Sequence, residues 1–189
     1  MFSSRKYIEV ATFRSGKVKT AGNGVIIRDN LYGTLKEDAF RRDFTVNGLY
    51  YDIKKSQVID YVGGLEAINI SKISMIGNPV QRFDEDPVRM IRAIRFKVKL
   101  GATIDPEISK SISNQAHLLA NIPAARLYDE CIKLFHNENA YEVFEQLLKF
   151  GLLNYLFPLT KETLFINKTL INTSNRIKNG KPVTPAFLF

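Results

Sequence analysis

Two periods organise the apolar positions of this chain. Across roughly its first eighty residues they fall in short runs, "KYIEVATF", "GVII", "LYYDI" and "QVIDYV", rich in β-branched and aromatic side chains and separated by Gly, Asn and Lys. Such runs predict strands joined by turns. Between the first two lies "RSGKVKTAGNG", a basic loop read either as a mobile linker or as backbone able to approach phosphates. From Pro87 onward the period becomes helical and predicts helices over 87–100, 105–119, 123–136 and 138–150, with "GATIDPE" and "NIPAA" as breaks.

The first of these helices has a defined start, because Asp86 can cap orphan N–H groups and Pro87 has the φ of a first helical residue. Met90, Ile91, Ile94 and Val98 share one face, and Arg89, Arg92 and Phe96 lie roughly opposite. The chain closes on "RIKNGKPVTPAFLF", which reads as a further helix cut short, and no internal repeat or low-complexity segment interrupts it. The expected class is α+β, strands first and helices after.

Composition narrows the function. At 189 residues and 45% hydrophobic content the chain can build a buried core, and 27 Lys and Arg against 19 Asp and Glu give +8, a balance suited to a polyanion such as RNA or to a solvated basic surface. One cysteine, Cys131, excludes an internal disulfide, and His117 and His136 alone make no zinc-type cluster. Cys131 is expected to be a small buried hydrophobe, the two histidines helix-surface or partly packed residues, and Tyr50, Tyr51, Phe96, Phe135, Tyr141 and Phe144 core packing, with an RNA base-stacking platform as the alternative for the aromatics. No apolar run would span a bilayer and "MFSSRKYIEV" lacks a signal-peptide stretch, so no membrane association and a reducing, cytoplasmic setting are expected.

Two groups carry chemistry. In "KEDAFRRDFTVNGLYYD", Arg41 and Arg42 offer forked donors to phosphate oxygens, and Asp43 beside them can accept from ribose hydroxyls; a surface ion-pair cluster is the plainer alternative. In "DEDPVRMIRAIRF", Asp86 and Arg89 sit one helical turn apart. Adenine and cytosine present an amine donor beside a ring-nitrogen acceptor, which a carboxylate and a guanidinium complement, whereas guanine and uracil present the reverse. A simple cap with an i, i+3 partner is the competing reading. Asp84, Glu85 and Asp86 spell D-x-D but open a helix, a poor setting for a metal pair.

These stretches, with "IEVATFR", "DYVGG" and "IPAARLYDE", closely resemble the bacterial poly(A) polymerase and CCA-adding family, the class II RNA nucleotidyltransferases, from about Tyr7 to the last residue. The stretch "IIRDNLYGTLKEDA" is more similar to the poly(A) polymerase branch. The resemblance implies the later part of a polymerase-β-like head over 1–80, a helical neck that selects nucleotide and binds RNA over 81–145, and the start of a helical body over 146–189. It implies that Asp43 is catalytic, near the ribose, with Arg41 and Arg42 toward the triphosphate, and that Asp60, Gly63 and Gly64 form a hinge motif. Glu85, Asp86 and Arg89 would read the base, Arg126 would line the nucleotide or primer path, and Glu9 would support the metal site.

The implied reaction is Mg²⁺-assisted transfer of AMP from ATP to an RNA 3′ end, with RNA-decay or RNA-processing proteins as further partners. The family's "GGxVRD" turn and metal-binding D-x-D have no counterpart here, so no metal ligand is assigned and the chain is expected to be a partial or inactive piece. Addition of CCA to tRNA is the alternative activity, and a noncatalytic nucleotide- or RNA-binding fragment the alternative of another class.

Overall fold

The computed structural model describes residues 9–15, 19–20, 26–28, 31–158 and 163–184. The start "MFSSRKYI", most of the basic loop and the final "PAFLF" lie outside them. A short ladder pairs β1 (Lys19–Thr20) with β2 (Ile26–Arg28), and Arg14 bridges Tyr32 in antiparallel fashion. Helix α1 (Leu35–Arg41) opens on a capping box in which the Thr34 hydroxyl accepts from the Glu37 N–H and the Glu37 carboxylate from the Thr34 N–H. A 3₁₀ turn, Thr45–Asn47, then leads into the hairpin of β3 (Leu49–Asp52) and β4 (Gln57–Asp60), registered Leu49 to Asp60 and Asp52 to Gln57.

Helix α2 (Gly64–Asn69) follows the "DYVGG" turn. Asp60 fixes this turn by accepting from the Val62 and Gly63 N–H groups through Oδ1 and the Leu65 N–H through Oδ2, each at 2.9 Å. Burial raises the pKa of Asp60, but those donors more than reverse it and hold the carboxyl below its ordinary value. Gly63 takes φ +78°, and a Cβ on Gly64 would stand 2.4 Å from the Thr45 carbonyl oxygen. The two glycines thus serve different needs: left-handed backbone and close approach.

β5 (Lys72–Ile73) precedes α3 (Pro79–Glu85), which Asn78 caps with Pro79 in the first position. Helix α4 (Val88–Leu100) is the central element, ended by Gly101 at φ +59°. After it β6 (Thr103–Ile104) pairs in parallel with β5, and α5 (Pro106–Gln115) and the 3₁₀ segment Ala116–Asn121 follow. The remainder is α6 (Ala124–Phe135), α7 (Ala140–Lys149), α8 (Leu153–Leu156) and α9 (Thr163–Lys178).

One core crosses the strand-to-helix transition. Met90, Ile91, Ala93 and Ile94 of α4 are fully buried and join Phe44, Ile73 and Phe83 on one side to Ile112, Leu134, Phe144 and Leu147 on the other. Each large side chain so buried contributes about 2 kcal/mol. Met90, Ile91 and Ile94 form the expected apolar face, with Val98 partly buried at its end, while Phe96 packs edge-on to Phe44 at 5.7 Å. Phe135 and Phe144 are buried and Tyr141 packs against the core. Tyr51 departs from the expectation, being 61% exposed, because its hairpin has no layer over that face among the described residues. The first eighty residues also hold more helix than the strand pattern predicts: α1, α2 and the start of α3.

A buried ion pair ties α4 to α6. Glu130 is 3% exposed, and its Oε1 accepts from Arg92 Nη2 at 3.0 Å and Lys133 Nζ at 2.9 Å. Burial pushes the Glu130 pKa up, and Arg92 and Lys133 pull it below the usual value of 4.5. A depressed folded-state pKa stabilises above the unfolded value and is lost as the pH falls through the folded one. The difference in melting temperature between wild type and Glu130→Gln is therefore expected to be full above about pH 4.5 and to shrink below it in a pH series of thermal scans.

Candidate nucleotide-binding site

Asp43 stands where α1 has ended and the 3₁₀ turn begins. Its Oδ1 accepts from the Phe44 N–H and Asn47 Nδ2, both at 2.8 Å, and its Oδ2 faces Arg92 at 3.7 Å. Its own carbonyl accepts from Ile76 N–H, and Ser74 accepts from Thr45 N–H, so the turn is pinned to the segment after β5. Across from it α4 presents Arg89, Arg92 and Arg95. The result is a cleft of about 590 Å³ lined by Arg41, Arg42, Asp43, Asn47, Asp86 and Arg89, and closed by Arg92, Arg95, Phe96, Glu130 and Lys133.

Arg41 and Arg42 diverge from one shared carboxylate, Asp38. Arg41 Nε donates to Asp38 Oδ1 at 3.0 Å; Arg42 donates to Oδ2 through Nε at 3.1 Å and Nη2 at 2.7 Å. Tyr50 Oη donates to the same Oδ2 at 2.6 Å and the Arg14 N–H to Oδ1 at 3.1 Å. Burial would raise the Asp38 pKa, but the Tyr50 hydroxyl, the Arg14 amide and the two arginines hold it far below the ordinary carboxylate value. The Tyr50 hydroxyl responds in the other sense, raised by burial and by its bond to that carboxylate.

The end of α3 organises the opposite wall. Arg82 Nη2 donates to the Arg41 and Arg42 carbonyls, and its Nη1 donates to Glu85 Oε2 at 2.7 Å. Burial and the neighbouring Arg89 charge lower the Arg82 pKa, while Glu85 acts against them. Arg89 Nη1 is held between the Arg82 carbonyl at 2.6 Å and Glu85 Oε2 at 2.9 Å. Asp86 sits between helices α3 and α4, where Oδ1 accepts from the Val88 N–H at 3.2 Å and Oδ2 from Arg126 Nη2 at 2.7 Å.

The structure thus brings Arg41, Arg42, Asp43, Asp86 and Arg89 to one cleft, with Glu85 behind Arg89 and Arg126 on Asp86. The i, i+3 pair of Asp86 with Arg89 is not made: each side chain has a different ionic partner, Arg126 for one and Glu85 for the other. A carboxylate oxygen accepts twice, so Asp86 keeps acceptor capacity after both bonds. Asp60, Gly63 and Gly64 lie at the turn into α2 and Glu9 is exposed; none of these lines the cleft.

Asp84, Glu85 and Asp86 point to separate partners, Asp84 accepting from Gln115 Nε2 at 2.7 Å. Among the described residues no group of three or more His, Cys, Asp or Glu is placed to hold a metal ion. The described residues thus supply no clustered ligand set for the Mg²⁺ that the resemblance implies. His117 and His136 are exposed, and burial together with the Glu130 charge pushes the Cys131 thiol up to about 11.

Sequence reasoning missed Asp38, Arg82, Glu130 and Lys133 as parts of this site. Asp38 had a usable signal, a carboxylate three and four residues before two arginines in a capped helix. Glu130 carried only the i, i+3 signal of Lys133 on its own helix, and its pairing with Arg92 of another helix left none.

Residues 1–74 match the model of the poly A polymerase head domain, and residues 101–164 that of the probable RNA and SrmB-binding site of polymerase A. Poly(A) polymerase I of Salmonella typhimurium is 44% identical over 96% of this chain and 43% of its own length. A CCA-adding enzyme of Bacillus pumilus is 38% identical over 69% of this chain and 32% of its own. The solved Bacillus stearothermophilus CCA-adding enzyme in complex with CTP superposes with a TM-score of 0.65 at 34% identity, over 86% of this chain and 38% of that one. The chain spans less than half the length of these relatives. It belongs to the poly(A) polymerase and CCA-adding family of RNA nucleotidyltransferases.

Proposed function

We propose that this chain carries the nucleotide-selecting part of an enzyme that adds AMP from ATP to RNA 3′ ends. The observation that carries the reading is one cleft holding phosphate-type donors, Arg41 and Arg42, a ribose-type acceptor, Asp43, and a base-edge pair, Asp86 and Arg89. In this reading residues 1–80 belong to the head, 81–145 to the neck and 146–189 to the start of the body.

The overall reaction joins the RNA 3′ oxygen to the α-phosphorus of ATP and releases pyrophosphate. This chain's residues contribute binding and orientation. Arg41 and Arg42 take the triphosphate, whose charge they match with forked donors. Asp43 accepts from the ribose through the carboxylate oxygen that its turn leaves toward Arg92. Asp86 accepts the adenine amine and Arg89 donates to the ring nitrogen; guanine would oppose donor to donor and acceptor to acceptor, which costs more than a missing contact. Arg126 and Glu85 hold those two side chains in place. Asp60, Gly63 and Gly64 serve as a hinge.

The metal-dependent step would draw on carboxylates other than the described ones. The purified chain with ATP and Mg²⁺ is accordingly expected not to extend a labelled RNA primer, and a ladder of extended products would overturn that division of labour.

CCA addition is the second reading, favoured by the likeness to an enzyme solved with CTP, because the Asp86 and Arg89 edge fits cytosine as well as adenine. Calorimetric titration with ATP, CTP and GTP separates them: ATP is expected to bind tightest, and equal affinity for ATP and CTP would favour CCA addition. In the same titrations Asp86→Ala and Arg89→Ala should each reduce discrimination of ATP over GTP by about 1–3 kcal/mol. Unchanged selectivity in both variants rules out the base-reading assignment.

A further inference from the structure

We infer that Asp38 is the positioning residue of the two phosphate-facing arginines: its buried carboxylate sets the orientation in which Arg41 and Arg42 meet the triphosphate. The inference rests on the nucleotide reading of the cleft and deepens it. Asp38 lies outside the cleft lining, while Arg41 and Arg42 lie within it. Its side chain is 4% exposed against 27% and 44% for the arginines, so a buried anion holds two half-exposed cations by their inner edges.

The carboxylate is itself fixed from three directions. The Arg14 amide approaches from the segment before β1, the Tyr50 hydroxyl from β3, and both arginines from the end of α1. Oδ1 takes Arg41 and the Arg14 amide, whereas Oδ2 takes Arg42 twice and Tyr50, so each oxygen serves one arginine. Arg42 also stands 5.9 Å from the centre of the Tyr50 ring. Only Nε of Arg41, and Nε and Nη2 of Arg42, donate to Asp38, so this carboxylate leaves both Nη groups of Arg41 and Nη1 of Arg42 for an anion.

Two adjacent arginines repel one another and carry long, flexible stems. Without a shared anchor the triphosphate itself would have to order both side chains, at a cost in affinity. The sign of the effect separates positioning from plain electrostatics. Removing a negative charge beside an anion site should tighten anion binding if charge alone matters. Loss of positioning weakens it instead. Loss of the local fold would also weaken binding of adenosine, which has no phosphate.

The test uses the full chain with its arginine side chains ¹⁵N-labelled, and tripolyphosphate, ATP and adenosine as probes. In wild type the Arg41 and Arg42 Nε–H signals are expected to exchange slowly with water, and in Asp38→Asn to become solvent-like. Tripolyphosphate and ATP should then bind on the order of tenfold more weakly, with adenosine affinity unchanged. Should Asp38→Asn fail to fold, Asp38→Glu, whose carboxylate sits one methylene further out, takes its place with the same expectation. Freely exchanging Arg41 and Arg42 signals in wild type overturn the inference without any variant. Tighter or unchanged tripolyphosphate binding in the variant overturns it too, and so does an equal loss of adenosine. If wild type binds neither ATP nor tripolyphosphate, the nucleotide reading itself falls and this role falls with it; if wild type binds both and the variant does likewise, only the role of Asp38 falls.

Discussion

Crowding of like charge is the constraint on which this cleft depends. Arg41, Arg42, Arg82, Arg89, Arg92, Arg95 and Arg126 surround one small volume, and their mutual repulsion would scatter them in the absence of anions between them. The fold interleaves carboxylates instead. Asp38 takes Arg41 and Arg42, Glu85 takes Arg82 and Arg89, Asp86 takes Arg126, and Arg92 lies between Asp43 and Glu130. Arg95 is accommodated differently, with its guanidinium 4.8 Å from the centre of the Phe96 ring. Arginines still outnumber carboxylates, which leaves a positive cleft with fixed donors, the condition for binding a polyanion without reorganisation.

The same pairs join parts of the chain far apart in sequence. Arg82 of α3 donates to the carbonyls that end α1, and Arg126 of α6 reaches the residue between α3 and α4. Arg92 connects the turn carrying Asp43 to α6. Beneath them the apolar side chains of α4 give these contacts a common rigid base. The wall carrying Arg41 and Arg42, the turn carrying Asp43 and the helix carrying Arg89 are thereby held at fixed spacing, and a site of this kind selects by geometry as well as charge.

Much of this was legible in the sequence, and the α+β class matches the fold, although α1 and α2 interleave with the strands and β6 follows α4. The period of Met90, Ile91 and Ile94 marked the face of α4 that is buried, and Asp86 before Pro87 marked its start to within a residue. Helix α3 went unread although Asn78 and Pro79 are a cap and a first-turn proline; the run is short, and the stronger signal at Pro87 masked it. Helix α1 was likewise hidden behind its own arginines, despite a capping box in "TLKE". For the site, residue types and the family resemblance point to Arg41, Arg42, Asp43, Asp86 and Arg89, which the fold brings to one cleft. They did not reveal that Arg89 is held by Glu85 and Asp86 by Arg126, because those choices are made by backbone geometry and tertiary approach. Tyr51 was misread for a similar reason: an aromatic in a strand packs only where a second layer covers it.

The central claim is that this cleft reads a base as well as gripping phosphates, and it is tested most directly at Arg89. Titrating the ¹⁵N-labelled chain with ATP and, separately, with tripolyphosphate follows the Arg89 guanidinium signals alongside those of Arg41 and Arg42. The account predicts that both ligands move the Arg41 and Arg42 signals and that ATP alone moves those of Arg89. Equal movement of the Arg89 signals with either ligand would contradict it.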